Sequence, residues 1–406
     1  MNIWHTGRAS GDQIRLAVFY GAIFTVMGLH TPYWPVWLQA QGLDGPQIGG
    51  LVAAGLMMRL MSGPLLGAVV DQVGERRRPA IVLAGLGLAS FCLFLGVCGL
   101  WGLFAVTVLS MTFYPALLPL IETLAVSRAR ECGFDYGRTR LWGSLTFIGA
   151  SLGGGALLAR AGPDMILPAI LLAFGGTLLA GFALPSDAVP KEAPAKAAPC
   201  APSGPSPLTT VIQSPLFWLF AISGGLVQGT HAVYYGFSSI HWRSLGLSGD
   251  LIGVLWAIGV IAEILLFSVS GRILARLGPL GLLGLGAGAG VVRWTVMGFD
   301  PPLALLIAAQ ILHAGTFGAT HLGAVHLIDR AVPRRCAVTA QSLYFALSGG
   351  VVLGSLTLGA GALYDAAAGA AYFAMAGVSL LALAGVWLLV RLWRTPSIIA
   401  DQPAGG

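Results

Sequence analysis

Polar and apolar positions along this chain change over far longer distances than in a strand or a soluble amphipathic helix. Apolar runs of about 20 to 27 residues are separated by short polar punctuation, and roughly 20 residues of helix cross a hydrocarbon core of about 30 Å. The pattern predicts twelve spans, near residues 15–38, 47–70, 79–98, 101–125, 140–160, 164–184, 215–238, 249–271, 278–298, 302–327, 338–361 and 368–391. Strands of a membrane barrel would be shorter and apolar on one face only. One segment breaks the rhythm. Residues 185–214, "PSDAVPKEAPAKAAPCAPSGPSPLTTVIQS", are rich in Pro, Ala and Ser without an apolar period. They read as a flexible cytoplasmic linker. The expected fold is an all-α membrane protein with two six-helix, pseudo-symmetric bundles, residues 1–184 and 215–406, joined by that linker.

Composition supports the membrane assignment. The 406 residues are 56% hydrophobic and 9% charged, against about 25% charged in a soluble domain. The first span contains Pro32 and Pro35 and feeds directly into the next, so it reads as a retained span, not a cleaved leader. Of the 22 Lys and Arg, only Arg160 and Arg243 fall on one side, Arg59 and Arg293 lie within spans, and all others fall on the opposite side. Positive-inside bias places both termini in the cytoplasm of a cell bounded by an inner or plasma membrane. The net charge of +6 is thus a topology signal. The short basic loops lack the interleaved aromatics of a nucleic-acid surface. The 5 cysteines show neither an extracellular pair nor CxxC spacing, so no disulfide, metal or cofactor is expected.

The two halves repeat each other at an offset of 204 residues. "GLDGPQIGGLVAAGLMMRL" (residues 42–60) is matched by "GLSGDLIGVLWAIGVIAEI" (residues 246–264), which sets Arg59 against Glu263. Gly67 and Gly74 align with Gly271 and Gly278. An even number of spans per repeat gives both the same orientation, an arrangement that encloses a central cavity and opens it alternately by rocking.

The loop after the second span resembles the signature of the major facilitator superfamily, roughly G-x-x-x-D-R-x-G-R-R. Here Gly67, Asp71, Gly74 and Arg76 to Arg78 are present, with Gln72 in place of the Arg. Through "PYWPVWLQAQGL", "YGRTRLWGSLTFIG", "HAVYYGFSSIHWRSLGLS", "WAIGVIAEI" and "QILHAGTFGATHLGAV" the whole chain resembles the branch containing phenylpropionate permeases and nucleoside proton symporters. The resemblance implies a gating role for Gly67, Asp71, Gly74 and Arg76. It implies proton-coupled uptake of a small organic solute such as an aromatic acid.

Charges inside the spans single out candidate residues. Arg59 lies about thirteen residues into its span, roughly 18 to 20 Å deep at 1.5 Å per residue, and Glu263 comes to the same depth. A buried ion needs an opposite charge, a wet cavity or a neutral state. The two are therefore expected in proton coupling or gating, with Glu263 the leading carrier. Burial raises a carboxyl pKa and a nearby Arg lowers it, so a state-dependent approach of Arg59 would load and unload the proton. A static pair is the bland alternative. Glu122, whose counterpart at the offset is His326, completes the coupling set; pairing with Arg128 or Arg130 is its structural reading.

His30, His231, His313 and His321 lie in spans that line the cavity in the superfamily, and histidine titrates near physiological pH. On the tenth helix His313, Thr316 and Thr320 share a face by helical spacing, while His321 points partly away. Tyr33 and Tyr234 join them as cavity candidates; Trp34, Trp37 and Tyr235 read equally well as interface anchors. Pro32 and Pro35 are expected to bend or end the first helix. Arg293, in the outer part of a helix that is peripheral in the superfamily, reads as snorkelling toward headgroups.

The expectation is a secondary active transporter rather than an enzyme, because no nucleophile, base and orienting residue recur at convincing spacing. Its partners are a small organic solute, a proton and membrane lipids, and it works as a monomer. Proton-antiport efflux of a lipophilic compound and nucleoside or sugar symport are the alternatives. A non-transporting sensor or assembly factor is the alternative class.

Overall fold

The computed structural model of this protein describes residues 3–73, 75–185, 206–394 and 397–399, side chains excepted at 3–10, 63–64, 67–69 and 71–72. The described residues are helical almost throughout. Ten stretches are long and apolar enough to cross a membrane, the longest being Arg334–Leu392. Their outward faces are apolar too: on one helix Leu172 and Leu179, two turns apart, are 80% and 71% exposed. Such faces are at home against lipid, and a helix satisfies its own backbone there. The protein is a multi-pass integral membrane protein.

Contacts divide it into two compact units. The first holds α1 (Ile3–Ala40), α2 (Gly45–Val73), α3 (Arg77–Cys92), α4 (Leu100–Phe113), α5 (Leu117–Cys132), α6 (Tyr136–Ala161) and α7 (Ile166–Ala183). It also takes in Ser238–Ala257 from the second half of the chain. α1 packs along α6 and α7, and its fully buried Phe19 shares this core with Ile170 and Phe174. Pro32 and Pro35 lie inside α1, which runs on unbroken to Ala40. They do not terminate it. The turn from α5 to α6 is fixed locally: Gly133 takes a left-handed φ of 73°, where a side chain would be strained. Asp135 then caps α6, accepting from the Gly137 and Arg138 amides.

The second unit contains α8 (Pro207–Ile212), α9 (Pro215–Gly229), α10 (Ala232–Ser244) up to Phe237, α11 (Gly249–Ser268) from Ile258, and α12 (Ser270–Gly298). It continues through α13 (Leu303–Ile311), α14 (Thr320–Ala331), α15 (Arg334–Phe345), α16 (Leu353–Ala367) and α17 (Ala371–Leu392). Helix breaks here follow residue chemistry. Gly278, at φ 65° before Pro279, kinks α12. Ala368, at φ 46°, parts α16 from α17. Thr230 and His231 interrupt the run between α9 and α10. Two segments, Ala314–Ala319 and Ala346–Val352, wind as π-helix.

Of the predicted linker, residues 186–205 lie outside the described residues. Its end is not the structureless linker expected: Pro207–Ile212 is helical, capped by Ser206, and Val211 is fully buried.

Candidate functional site

Two polar clusters stand inside otherwise apolar helices, one in each unit. In the second unit the centre is Arg293, on α12, with no exposed surface. One guanidinium nitrogen lies 3.0 Å from His313 Nδ1 and donates to Thr316 Oγ1 at 3.1 Å. The other donates to Gln310 Oε1 at 3.1 Å. Its planar face lies over the rings of Tyr234 and Trp294, 4.5 and 4.4 Å from their centroids, so cation–π attraction replaces part of the lost hydration. This corrects the expectation that Arg293 snorkels outward. A strand of polar partners along α13 and the π-helical turn holds it in the bundle.

The network extends both ways from Arg293. His231 Nε2 lies 3.1 Å from Thr316 Oγ1, and its Nδ1 lies 3.0 Å from the Gln228 carbonyl. The interruption of the helix at Thr230–His231 brings the His231 amide to the same carbonyl, at 3.2 Å, and the imidazole is fully buried. On the other side His313 Nε2 lies 4.0 Å from a carboxylate oxygen of Glu263. Arginine has only donors, so His313 Nδ1 must accept; a neutral His313 then carries its proton on Nε2, the nitrogen facing Glu263. Arg293, His313 and Glu263 thus follow one another as cation, imidazole and acid, the last step, at 4.0 Å, being longer than a hydrogen bond. Glu263 is the more open end, with 20% of its side chain exposed.

In the first unit Glu122, on α5, accepts a hydrogen bond from the Tyr136 hydroxyl. It also accepts from Arg140 Nε at 3.0 Å. Arg140 lies over the Phe24 ring at 4.2 Å. Both charged side chains are about one-third exposed, 31% and 30%. Glu122 therefore pairs with Arg140, not with the expected Arg128 or Arg130. Arg128 bonds Asp12 and Glu131, each at 2.8 Å, and ties α1 to α5. A groove of about 650 Å³ runs past Glu122 and is lined by Arg76, Thr123, Ser127, Arg130 and Glu131.

The remaining predicted residues scatter. Tyr33 is fully buried and donates to the Ser151 carbonyl at 2.5 Å, which makes it a strut between α1 and α6. Around it, Gly155 and Gly249 meet backbone to backbone, and a Cβ at Gly253 would lie 2.5 Å from the Ser151 oxygen. His30 stacks on Trp34 at 5.3 Å within an aromatic group that includes Phe91 and Tyr114. Thr320, just past the π-helical turn, is fully buried and abuts Gly286 on α12. His321 stacks between Phe317 and Phe345. His326, half-buried on α14, joins neither cluster. Arg59 is exposed on α2 and belongs to the first unit, whereas Glu263 belongs to the second. Gly74 lies outside the described residues; Gly67 and Asp71 fall in α2 where side chains are not described, and Arg76 borders the groove.

Arg293, Gln310, Arg140 and Tyr136 escaped the sequence reading as site residues. An arginine within a span was itself the signal for the first. Gln310 sits one turn before His313, and the other two flank "YGRTR".

Residues 13–375 match the model of the MFS_1 like family. The chain is 33% identical over 349 residues to a probable 3-phenylpropionic acid transporter of Escherichia coli (strain K12), covering 86% of this chain and 90% of that protein. It is 30% identical over 369 residues to a maltose permease of Geobacillus stearothermophilus, covering 88% and 89%. Among solved structures, the nucleoside transporter NupG superposes with a TM-score of 0.81 at 17% identity, covering 93% of this chain and 99% of that one. At that identity the likeness speaks for the fold.

Proposed function

We infer, for a chain that belongs to the MFS_1 like family of the major facilitator superfamily, that it couples proton entry to the uptake of a small organic acid, with Glu263 as the proton carrier. One observation carries this reading: the fully buried Arg293 is held by His313, whose other nitrogen faces Glu263. An unscreened cation inside a bundle makes the protonation state of a neighbouring acid matter, because water cannot absorb the change in charge. With Glu263 ionised the cluster is close to neutral. Protonation leaves a net positive charge on the cluster, and release of the proton restores the neutral state.

Arg140 is the group we assign to the solute carboxylate. It is reachable and its partner Glu122 can exchange, while the buried rings of Phe24 and Tyr20 hold the guanidinium in place. The likeness to a probable 3-phenylpropionic acid transporter supports an aromatic acid as cargo. Symport of a sugar or nucleoside is a second reading, favoured by the likeness to a maltose permease. Glu122 and Arg140 would then accept from and donate to hydroxyls.

The architecture we propose has twelve spans in two six-helix bundles, residues 1–184 and 215–406, both termini cytoplasmic, in an inner or plasma membrane, and a monomer as the working unit. The break at Ala368 supports counting Arg334–Leu392 as two spans, and the 29-residue α2 supplies a further one. Rocking of the bundles exposes Glu263 and the solute to each side in turn. The deciding measurement is proton flux into proteoliposomes on addition of 3-phenylpropionate, maltose or a nucleoside. Inward flux with the aromatic acid, lost in Glu263→Gln, is the expected result; flux with maltose or nucleoside alone selects the second reading, and acid-driven flux that survives Glu263→Gln removes the carrier assignment.

A further inference from the structure

The chain after α17 turns back and docks. Ile398 and Ile399 are 2% and 0% exposed, inside the apolar group that also contains Val211, Phe217, Ala331, Val332 and Tyr344. The backbone is pinned at both ends of that contact. The Ile398 amide donates to the Ala331 carbonyl at 2.9 Å, and the Ser397 hydroxyl donates to the same oxygen at 2.7 Å. In the other direction Ser214 Oγ donates to the Ile398 carbonyl at 2.5 Å while accepting from the Phe217 amide at 3.2 Å. Ser214 caps α9, and Ala331 is the last residue of α14. Three tail residues thus join the start of one span to the tip of the α14–α15 hairpin.

That hairpin has a second distinguishing feature. Each of its helices is joined to the rest of its span by a π-helical turn, Ala314–Ala319 before α14 and Ala346–Val352 after α15. A π-helical turn carries an extra residue in the hydrogen-bond ring and is a weak point in an otherwise stiff rod. Residues 320–345 are therefore a paired element bounded by two flexible points at the same end. One of those points belongs to the polar cluster, since Thr316 bonds Arg293 and His231. Gly318 faces Glu263 from the same turn.

We propose that the tail segment Ser397–Ile399 is a latch on this hairpin, holding its tip against α9 while the two π-helical turns act as its hinges. Restraint at the tip and the charge cluster at the hinge act on one mobile element, whichever solute the protein carries. An apolar tail merely filling a gap would not need three hydrogen bonds to two separate helix ends. The latch also accounts for the burial of Ile398 and Ile399 beyond a helix that ends at Leu392.

The test is hydrogen–deuterium exchange of the full-length protein in lipid nanodiscs. Ser214→Asp keeps an acceptor for the Phe217 amide but removes the donor to Ile398, so the cap survives and the latch loses a bond. Roughly fivefold faster exchange across 320–345 is expected, the change that follows from losing one such bond, with 278–298 unchanged. Ending the chain at Arg394 should enlarge the effect in the same window. Unchanged exchange at 320–345 in both variants overturns the latch. A rise shared equally by 278–298 also overturns it, because it would mean that the tail stabilises the whole unit.

Discussion

The cation of the second unit and the cation of the first are both arginines under aromatic rings, yet they are held in opposite ways. Arg140 has a direct carboxylate partner in Glu122, and water reaches both. Arg293 has no exposed surface, and its partners are an imidazole, a hydroxyl, an amide and two rings; the acid Glu263 is one residue further away. The first arrangement can open to a solute at small cost, because exposed pairs contribute about 0 to 1 kcal/mol. The second cannot lose a partner cheaply. On the function proposed above, one cluster exchanges partners and the other keeps its charge while a neighbour changes protonation.

Breaking the sealed cluster should have the largest effect. Arg293→Ala leaves Gln310, Thr316 and His313 facing a cavity in place of a donor, at a cost of about 1 to 3 kcal/mol for each group left unsatisfied. Thermal unfolding in detergent should fall steeply, and uptake should be lost. Arg293→Lys, which keeps the charge but not the fork, should fold better and still transport poorly. Glu263→Gln comes next, removing the titrating group without changing shape. Solute exchange across the membrane should persist while accumulation against a gradient disappears, and the two are separable by counterflow and by proton-driven uptake in the same vesicles.

The open cluster should respond more gently. Glu122→Gln or Arg140→Lys should raise the half-saturating solute concentration about tenfold, the equivalent of about 1.4 kcal/mol, with the unfolding temperature nearly unchanged. If instead Arg140→Lys unfolds the protein as readily as Arg293→Ala, the contrast between the two sites is lost. The smallest effect is expected at Tyr33→Phe, which removes one buried hydrogen bond to Ser151 and costs about 1 kcal/mol, read as a shift of a few degrees in unfolding.

The multi-pass membrane character and the family resemblance were legible because they depend on hydropathy and on residues close together in the chain. His231, Tyr234, His313, Thr316 and Glu263 were also legible as candidates, and the second unit gathers all five. Arg293 was misjudged. Its place in the outer part of its span suggested a path to headgroups, but the direction a helix faces is set by its neighbours, and α12 lies against α14 and α17. Arg140 was read as a topology charge at the end of a span, since nothing local distinguishes such a residue from one that turns inward to a carboxylate eighteen positions earlier in the chain.

The seam around Tyr33 has a consequence for energy conservation. Where Gly155 meets Gly249, main chain touches main chain, and Gly253 lies directly on the Ser151 carbonyl. No gap there is wide enough for a single file of water, and protons leak through membranes along such files. Glycine at these positions closes such a path by leaving nothing between the two backbones.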